Sequence, residues 1–182
     1  PLFPELDTWR TLPWAQARRG TRPHNKAGGI LPVPVDGVWH MYVGEGAIYH
    51  ATSPDLLRWS VGGAPVVEGR PGSWDADLVE VGAPPVVVGD RVVLLVNGAR
   101  ITSVDDLLVD YRCGQVGFAL DDPTRVVERP DDPWLAPSTP LEKAGLVPNV
   151  TFVEGLVAFH GQWLAYYGQS DTTTAVAVAP RG

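Results

Sequence analysis

Two carboxylates stand where their neighbours are apolar. Val147–Asp171 contains two runs rich in β-branched and aromatic residues, Thr151–Phe159 and Trp163–Tyr167, around a His160-Gly161 connection. Such runs about a glycine-containing turn predict a β-hairpin. Glu154 interrupts the first run, and Asp171 follows Tyr166-Tyr167-Gly168 at the end of the second. A carboxylate in a buried strand costs several kcal/mol unless it is paired or lines a wet cleft. Glu154 is therefore either a structural group capping nearby backbone N–H groups or a pocket carboxylate. The residues alone leave both readings open.

The elements that position these groups read as short strands. The chain has 182 residues, 45% hydrophobic and 19% charged, with 20 glycines and 18 prolines punctuating short apolar segments. This composition belongs to a turn-rich β protein rather than a helix bundle. A first hairpin is expected at Gly29–Val35 and Val38–Val43 around Asp36-Gly37, with a third strand at Ala47–Thr52. A second runs Pro85–Val88 and Arg91–Val96 around Gly89-Asp90, ends at Asn97-Gly98, and is followed by Gly114–Ala119. The third is the opening stretch, followed by Thr173–Ala179. Gly44, Gly98 and Gly168 recur at matching places. Only Leu141–Gly145 has the character of a helical turn.

Repetition of one strand–turn–strand plan predicts propeller blades. The blade-like repeats span about 27–66, 72–130 and 146–180, with residues 1–25 as the end of a preceding blade. Three such units do not close a ring, since propellers have about four to eight blades. The expectation is one partial all-β domain over residues 1–182; a β-sandwich is the alternative.

Several functions are disfavoured. A net charge of −7 with a pI near 4.9 lacks the basic stripe of a nucleic-acid binder. No apolar run approaches the roughly 18 residues of a membrane helix. His24, His40, His50 and His160 are dispersed without ligand spacing, and no glycine-rich phosphate loop opens a helix. No cofactor or metal is expected. Cys113 reads as a small buried hydrophobe. The start at Pro1 reads as a cut end, which leaves the compartment open, with the cytoplasm as the default.

Taken in order, eight segments resemble glycoside hydrolase family 130, the mannoside phosphorylases and hydrolases. They are Lys26–Pro32, Ser53–Trp59, Gly72–Asp77, Gly82–Pro85, Tyr111–Gly114, Leu120–Pro123, Val147–Val150 and Tyr166–Asp171. The resemblance implies a five-bladed β-propeller, here about three blades of an incomplete one, with a mannoside held on the propeller axis. It implies a sugar-hydroxyl ligand at Asp171 and a pocket lysine at Lys26, with Asn149, Tyr111 and Arg112 at matching positions. Against these stand a core aromatic for Tyr111, a surface pair with a loop Asp for Arg112, and a solvated lysine for Lys26.

The departures from the family also carry information. Where the phosphorylase branch has Tyr-His-Gly, whose His helps hold phosphate, this chain has Val96-Asn97-Gly98. A neutral amide at Asn97 cannot supply the charge of an imidazolium. Glu80 and Glu154 both resemble the hydrolytic branch, where a base activates water. The expectation is inverting hydrolysis of β-mannosides, with Glu154 or Glu80 as base; phosphorolysis, or a non-catalytic carbohydrate-binding fragment, is the alternative. The family's acidic Asp lies in a segment without a counterpart here, so this stretch alone is expected to be inactive, and association into a homo-oligomer is possible. Lys26, Glu80, Glu154 and Asp171 are expected to gather around one central hollow.

Overall fold

A computed structural model of the protein describes residues 27–103 and 108–181. They form three antiparallel sheets. The first contains β1 (Gly28–Ile30), β2 (Trp39–Val43), β3 (Ile48–Ser53) and β4 (Ser60–Val67), paired in chain order. The second contains β5 (Leu78–Val81), β6 (Val86–Val88), β7 (Arg91–Ser103), β8 (Leu108–Ala119) and β9 (Val126–Glu128). Both β5 and β6 pair with β7, so they act as one strand broken at Gly82-Ala83-Pro84-Pro85. Proline has no N–H for a ladder, which accounts for the break. The third sheet contains β10 (Thr151–Phe159), β11 (Gln162–Gln169) and β12 (Thr173–Pro180). A single helical turn, α1 (Pro140–Lys143), precedes it, close to the expected Leu141–Gly145.

The turns follow from local chemistry. Asp36, Gly37, Gly89, His160, Gly161, Ser170 and Asp171 all have positive φ, as tight hairpin turns require. Expected strand bounds are corrected in three places. The first strand ends at Ile30, with Val35 kept only in an isolated bridge to Val38, and β8 begins at Leu108 rather than Gly114. β7 runs straight through Asn97-Gly98 to Ser103, and Gly98 has no positive φ. Its lack of a side chain makes room instead: a Cβ there would lie 2.5 Å from the Trp74 ring, and one at Gly114 would meet the same ring at 2.5 Å.

β7 has an apolar residue on each face and so joins two cores. Val92, Leu94 and Val96 point one way, against Leu31, Tyr42 and Ile48 of the first sheet. Leu95 points the other way, with Cys113 of β8 against Val153, Ala165 and Tyr167 of the third. This alternation is the two-residue period of a strand, and full burial of each large side chain contributes about 1.5–3 kcal/mol. Stacking of Tyr42 on Phe118, with centroids 4.6 Å apart, ties the first sheet to the second. Between these sheets, buried Asp75 receives Arg70 at 3.1 Å and Arg129 at 2.7 Å, clamping the loop before β5 to the segment after β9. The described residues close no ring.

Candidate functional site

The sheets meet through backbone and side-chain bridges, and a cavity opens beside them. The N–H of Tyr111 donates to the Asn149 carbonyl at 3.0 Å, and Tyr111 pairs with Val150 in a parallel bridge. On the other flank Glu45 and Glu80 form an antiparallel bridge between the first sheet and the second. Beside Tyr111 lies a cavity of about 220 Å³, lined by Tyr111, Val147, Val150, Phe152, Glu154 and Asp171.

Glu154 reaches this cavity through a β-bulge. In the β10–β11 ladder Val153 pairs with Tyr167 and Gly155 with Tyr166, leaving Glu154 as the extra residue. A bulge re-aims one side chain while the strand continues. The carboxylate is accordingly exposed, although its neighbour Val153 is fully buried. Asp171 arrives from the β11–β12 turn, held with Ser170 in the left-handed region at φ 52 and 47. Two carboxylates thus share one hollow because a bulge and a turn each displace one residue from its ladder.

Glu80 is fully buried and lies behind this wall rather than in it. The Tyr111 hydroxyl donates to Glu80 Oε1 at 3.3 Å. Burial pushes the Tyr111 phenol well above its ordinary range, reinforced by the charges of Glu80, Glu45 and Asp171 and by the bond to Glu80. Glu45, also fully buried, was not singled out from the sequence. Its signal was the Gly44-Glu45-Gly46 turn, where a Cβ on Gly44 would lie 2.2 Å from the Ala47 carbonyl.

The remaining expected site residues are placed elsewhere. Asn97 is fully buried, and its amide donates to the Val153 carbonyl at 2.9 Å while accepting the Val153 N–H at 2.8 Å. It holds β7 to β10 and does not face the cavity. Arg112 forms a two-point pair with Asp110, at 3.0 and 2.6 Å. It alternates with Tyr111 along β8 and so points to the opposite face, the one that Gly114 shares with Trp74. Asn149 is exposed at φ 60, contributing its carbonyl to β8 while its side chain stays out of the lining. Lys26 lies outside the described residues.

Two larger cavities carry different chemistry. One of about 460 Å³ lies between the second and third sheets, is lined by Trp134, Trp163, Gln115 and aliphatic side chains, and has no carboxylate among the described residues. The other, of about 590 Å³, lies at the turns around Asp36, Asp90 and Asp121. The buried Cys113 thiol donates to the Thr151 carbonyl at 3.3 Å, and burial pushes its pKa up to about 12 against the opposing hydrogen bonds, so it is no nucleophile. Among the described residues no group of three or more His, Cys, Asp or Glu could hold a metal ion. No helix among them is long and apolar enough to cross a membrane.

The described residues form an all-β scaffold with a carboxylate-lined hollow beside the junction of the second and third sheets. The sequence profile described as beta-1,4-mannooligosaccharide phosphorylase matches residues 7–181. This chain belongs to glycoside hydrolase family 130. It is 32% identical over 155 residues to a 1,2-beta-oligomannan phosphorylase of Thermoanaerobacter sp. (strain X514), covering 85% of this chain and 50% of that protein. Among solved structures it is similar to a glycosyl hydrolase from Bacteroides ovatus, with TM-score 0.78 and 32% identity over 86% of this chain and 49% of that one. It is also similar to the beta-1,2-mannobiose phosphorylase of Listeria innocua in complex with beta-1,2-mannobiose, with TM-score 0.78 and 28% identity over 87% of this chain and 45% of that one. The chain spans half or less of the length of the curated relatives it matches.

Proposed function

We propose that this chain is part of an enzyme that cleaves β-mannosidic bonds, and that the Tyr111–Glu154–Asp171 cavity is its sugar-binding surface. The observation that carries the reading is the meeting of Glu154 and Asp171 in one hollow, each displaced from its ladder. At about 220 Å³ the hollow is smaller than the roughly 300–1,000 Å³ of a drug-sized pocket and suits a single sugar ring. Asp171 accepts hydrogen bonds from adjacent hydroxyls, and the Phe152 and Tyr111 rings offer apolar faces to the ring carbons. In this reading the three sheets are blades of a five-bladed propeller.

Phosphorolysis is the first reading, because the curated relatives are phosphorylases. This reverses the preference for hydrolysis drawn from the sequence. The Asn97 argument for hydrolysis also weakens, since that side chain is engaged by Val153 and does not face the cavity. A phosphate oxygen attacks the anomeric carbon, the glycosidic C–O bond breaks, and the departing oxygen takes a proton from an acid. Hydrolysis is the second reading, favoured by exposed Glu154 in the lining, where a carboxylate can take the proton of an attacking water. Incubation of the complete protein with beta-1,2-mannobiose and with beta-1,4-mannooligosaccharides, each with and without phosphate, separates the two. Mannose 1-phosphate formed only with phosphate supports the first; free mannose formed equally in both supports the second; no cleavage in either removes both.

A further inference from the structure

A buried glutamate outside the hollow ties together two of its walls. Glu142 sits in α1, is 1% exposed, and is not part of the lining. Its Oε2 accepts the backbone N–H groups of Ser138 and Thr139, both at 2.8 Å, which fixes the start of the helical turn. Its Oε1 reaches across to β11 instead, accepting the Tyr167 hydroxyl at 2.8 Å and the Gln169 amide at 3.3 Å. Gln169 directly precedes the Ser170-Asp171 turn. Backbone bonds continue the clamp. The Val150 N–H donates to the Glu142 carbonyl at 3.0 Å, the Ser170 N–H to the Val150 carbonyl at 3.0 Å, and the Val147 N–H to the Ser170 carbonyl at 3.3 Å. The loop lies so close to the turn that a Cβ on Gly145 would be 2.5 Å from the Ser170 carbonyl oxygen. Burial raises the Glu142 carboxyl, but the Thr139 and Ser138 N–H groups, then Tyr167 and Gln169, outweigh it and hold it down to about 2. At neutral pH it is therefore an ionised acceptor.

We infer that Glu142 is a positioning residue for Asp171: by gripping α1 with one oxygen and Tyr167 and Gln169 with the other, it holds the Val147–Val150 wall against the end of β11 and so fixes where the Asp171 carboxylate enters the hollow. The turn needs such a hold. Ser170 and Asp171 carry a Cβ and yet adopt φ 47 and 52, a region that side chains disfavour and that persists only where the surroundings impose it. The same loop keeps Asn149 at φ 60, where its carbonyl accepts the Tyr111 N–H. With the bonds to Oε1 cut, the turn is free to relax, and Asp171 moves with it. Misplacement of a functional group by about 1 Å can cost on the order of a hundredfold in rate. Glu142 stands outside the lining, so its effect on chemistry passes through Asp171. The effect on turnover rests on the mannoside reading above; the clamp does not.

Tyr167→Phe isolates the cross-link, since it removes a bond to Oε1 and leaves the bonds from Ser138 and Thr139 in place. Glu142→Gln removes the charge from both sides of the clamp. Steady-state kinetics use the complete protein and whichever mannoside it cleaves. Each variant is expected to lower kcat/KM about tenfold with part of the loss in KM, whereas a smaller folded fraction would lower kcat alone. In an Asp171→Asn background, Tyr167→Phe should cost nothing further. Equal losses in both backgrounds, or a wild-type kcat/KM in Tyr167→Phe, overturn the inference. Hydrogen exchange gives a readout independent of activity. The Val147, Ser170 and Thr172 amides, bonded across the loop and the turn, should exchange about tenfold faster in Tyr167→Phe, with the β2–β3 ladder unchanged. Unchanged exchange at these amides, or uniform acceleration through the whole chain, overturns the inference too. Should Glu142→Gln fail to fold, Tyr167→Phe alone decides. A wild-type protein that cleaves no mannoside, with the local acceleration present in Tyr167→Phe, removes the mannoside reading and leaves the clamp standing.

Discussion

Mild acid should loosen the first sheet, and a pair of histidines sets by how much. His40 on β2 and His50 on β3 are each 8% exposed, and His40 Nδ1 lies 2.9 Å from His50 Nε2. One of these nitrogens must be a bare acceptor, so the contact needs a neutral ring. Burial, and then the neighbouring His40, push His50 down to about 4, with the charge of Asp122 opposing. An unfolded chain titrates the same group near 6.5. As pH falls through 6.5 the unfolded chain takes up the proton and the folded chain does not. Stability is thus complete above that value and declines until the folded group titrates near 4. At about 1.4 kcal/mol per pKa unit the full window corresponds to roughly 3 kcal/mol, and the fall from pH 7 to pH 5 to about 2 kcal/mol. His40 is shifted in the same direction by burial and adds to the loss. The assay is urea unfolding at pH 7 and pH 5, for wild type and His50→Gln. The wild type should lose about 2 kcal/mol more than the variant across that interval. Equal losses in both would refute the reasoning, because the pH dependence would then lie outside the pair.

Further outcomes follow from the cavity and the packing. Asp171→Asn should lower mannobiose turnover by about a hundredfold or more, while Glu154→Gln should abolish hydrolysis but largely spare phosphorolysis; turnover with and without phosphate checks both. Gly98→Ala should destabilise the chain by about 2 kcal/mol or more, since its Cβ would sit 2.5 Å from the Trp74 ring and 2.6 Å from Asp75 Cβ; denaturant unfolding measures this, and a neutral result would show that Trp74 can move. Asp75→Asn should cost about 3 kcal/mol by leaving the Arg70 and Arg129 guanidinium groups without their buried counter-charge, read as a fall in the urea midpoint.

Local chemistry wrote most of the scaffold into the sequence. Asp36-Gly37 and His160-Gly161 tolerate the left-handed backbone that short hairpin turns demand, and the β-branched runs around them have no better use than strands. Both hairpins lie where those residues place them. Gly98 was misread because a glycine that turns the chain and one that makes room for a ring look alike in sequence. Only the arrival of Trp74 from a distant loop distinguishes them.

The candidate site was legible as residue types but not as directions. Glu154 and Asp171 stand out in the sequence as carboxylates in apolar surroundings, and they share a cavity with Tyr111. Which way a strand residue points depends on register, and register is set by the partner strand. The bulge beside Val153 turns Glu154 outward, the pairing of β7 with β8 sends Tyr111 and Arg112 to opposite faces, and β10 occupies the amide of Asn97. The sequence by itself determined the strands, the tight turns and the family. The tertiary structure decided which polar groups look into the hollow and which stand behind it. Strand and turn preferences act between neighbours in the chain, whereas the facing of a side chain is a contact between segments that meet only when the sheets pack.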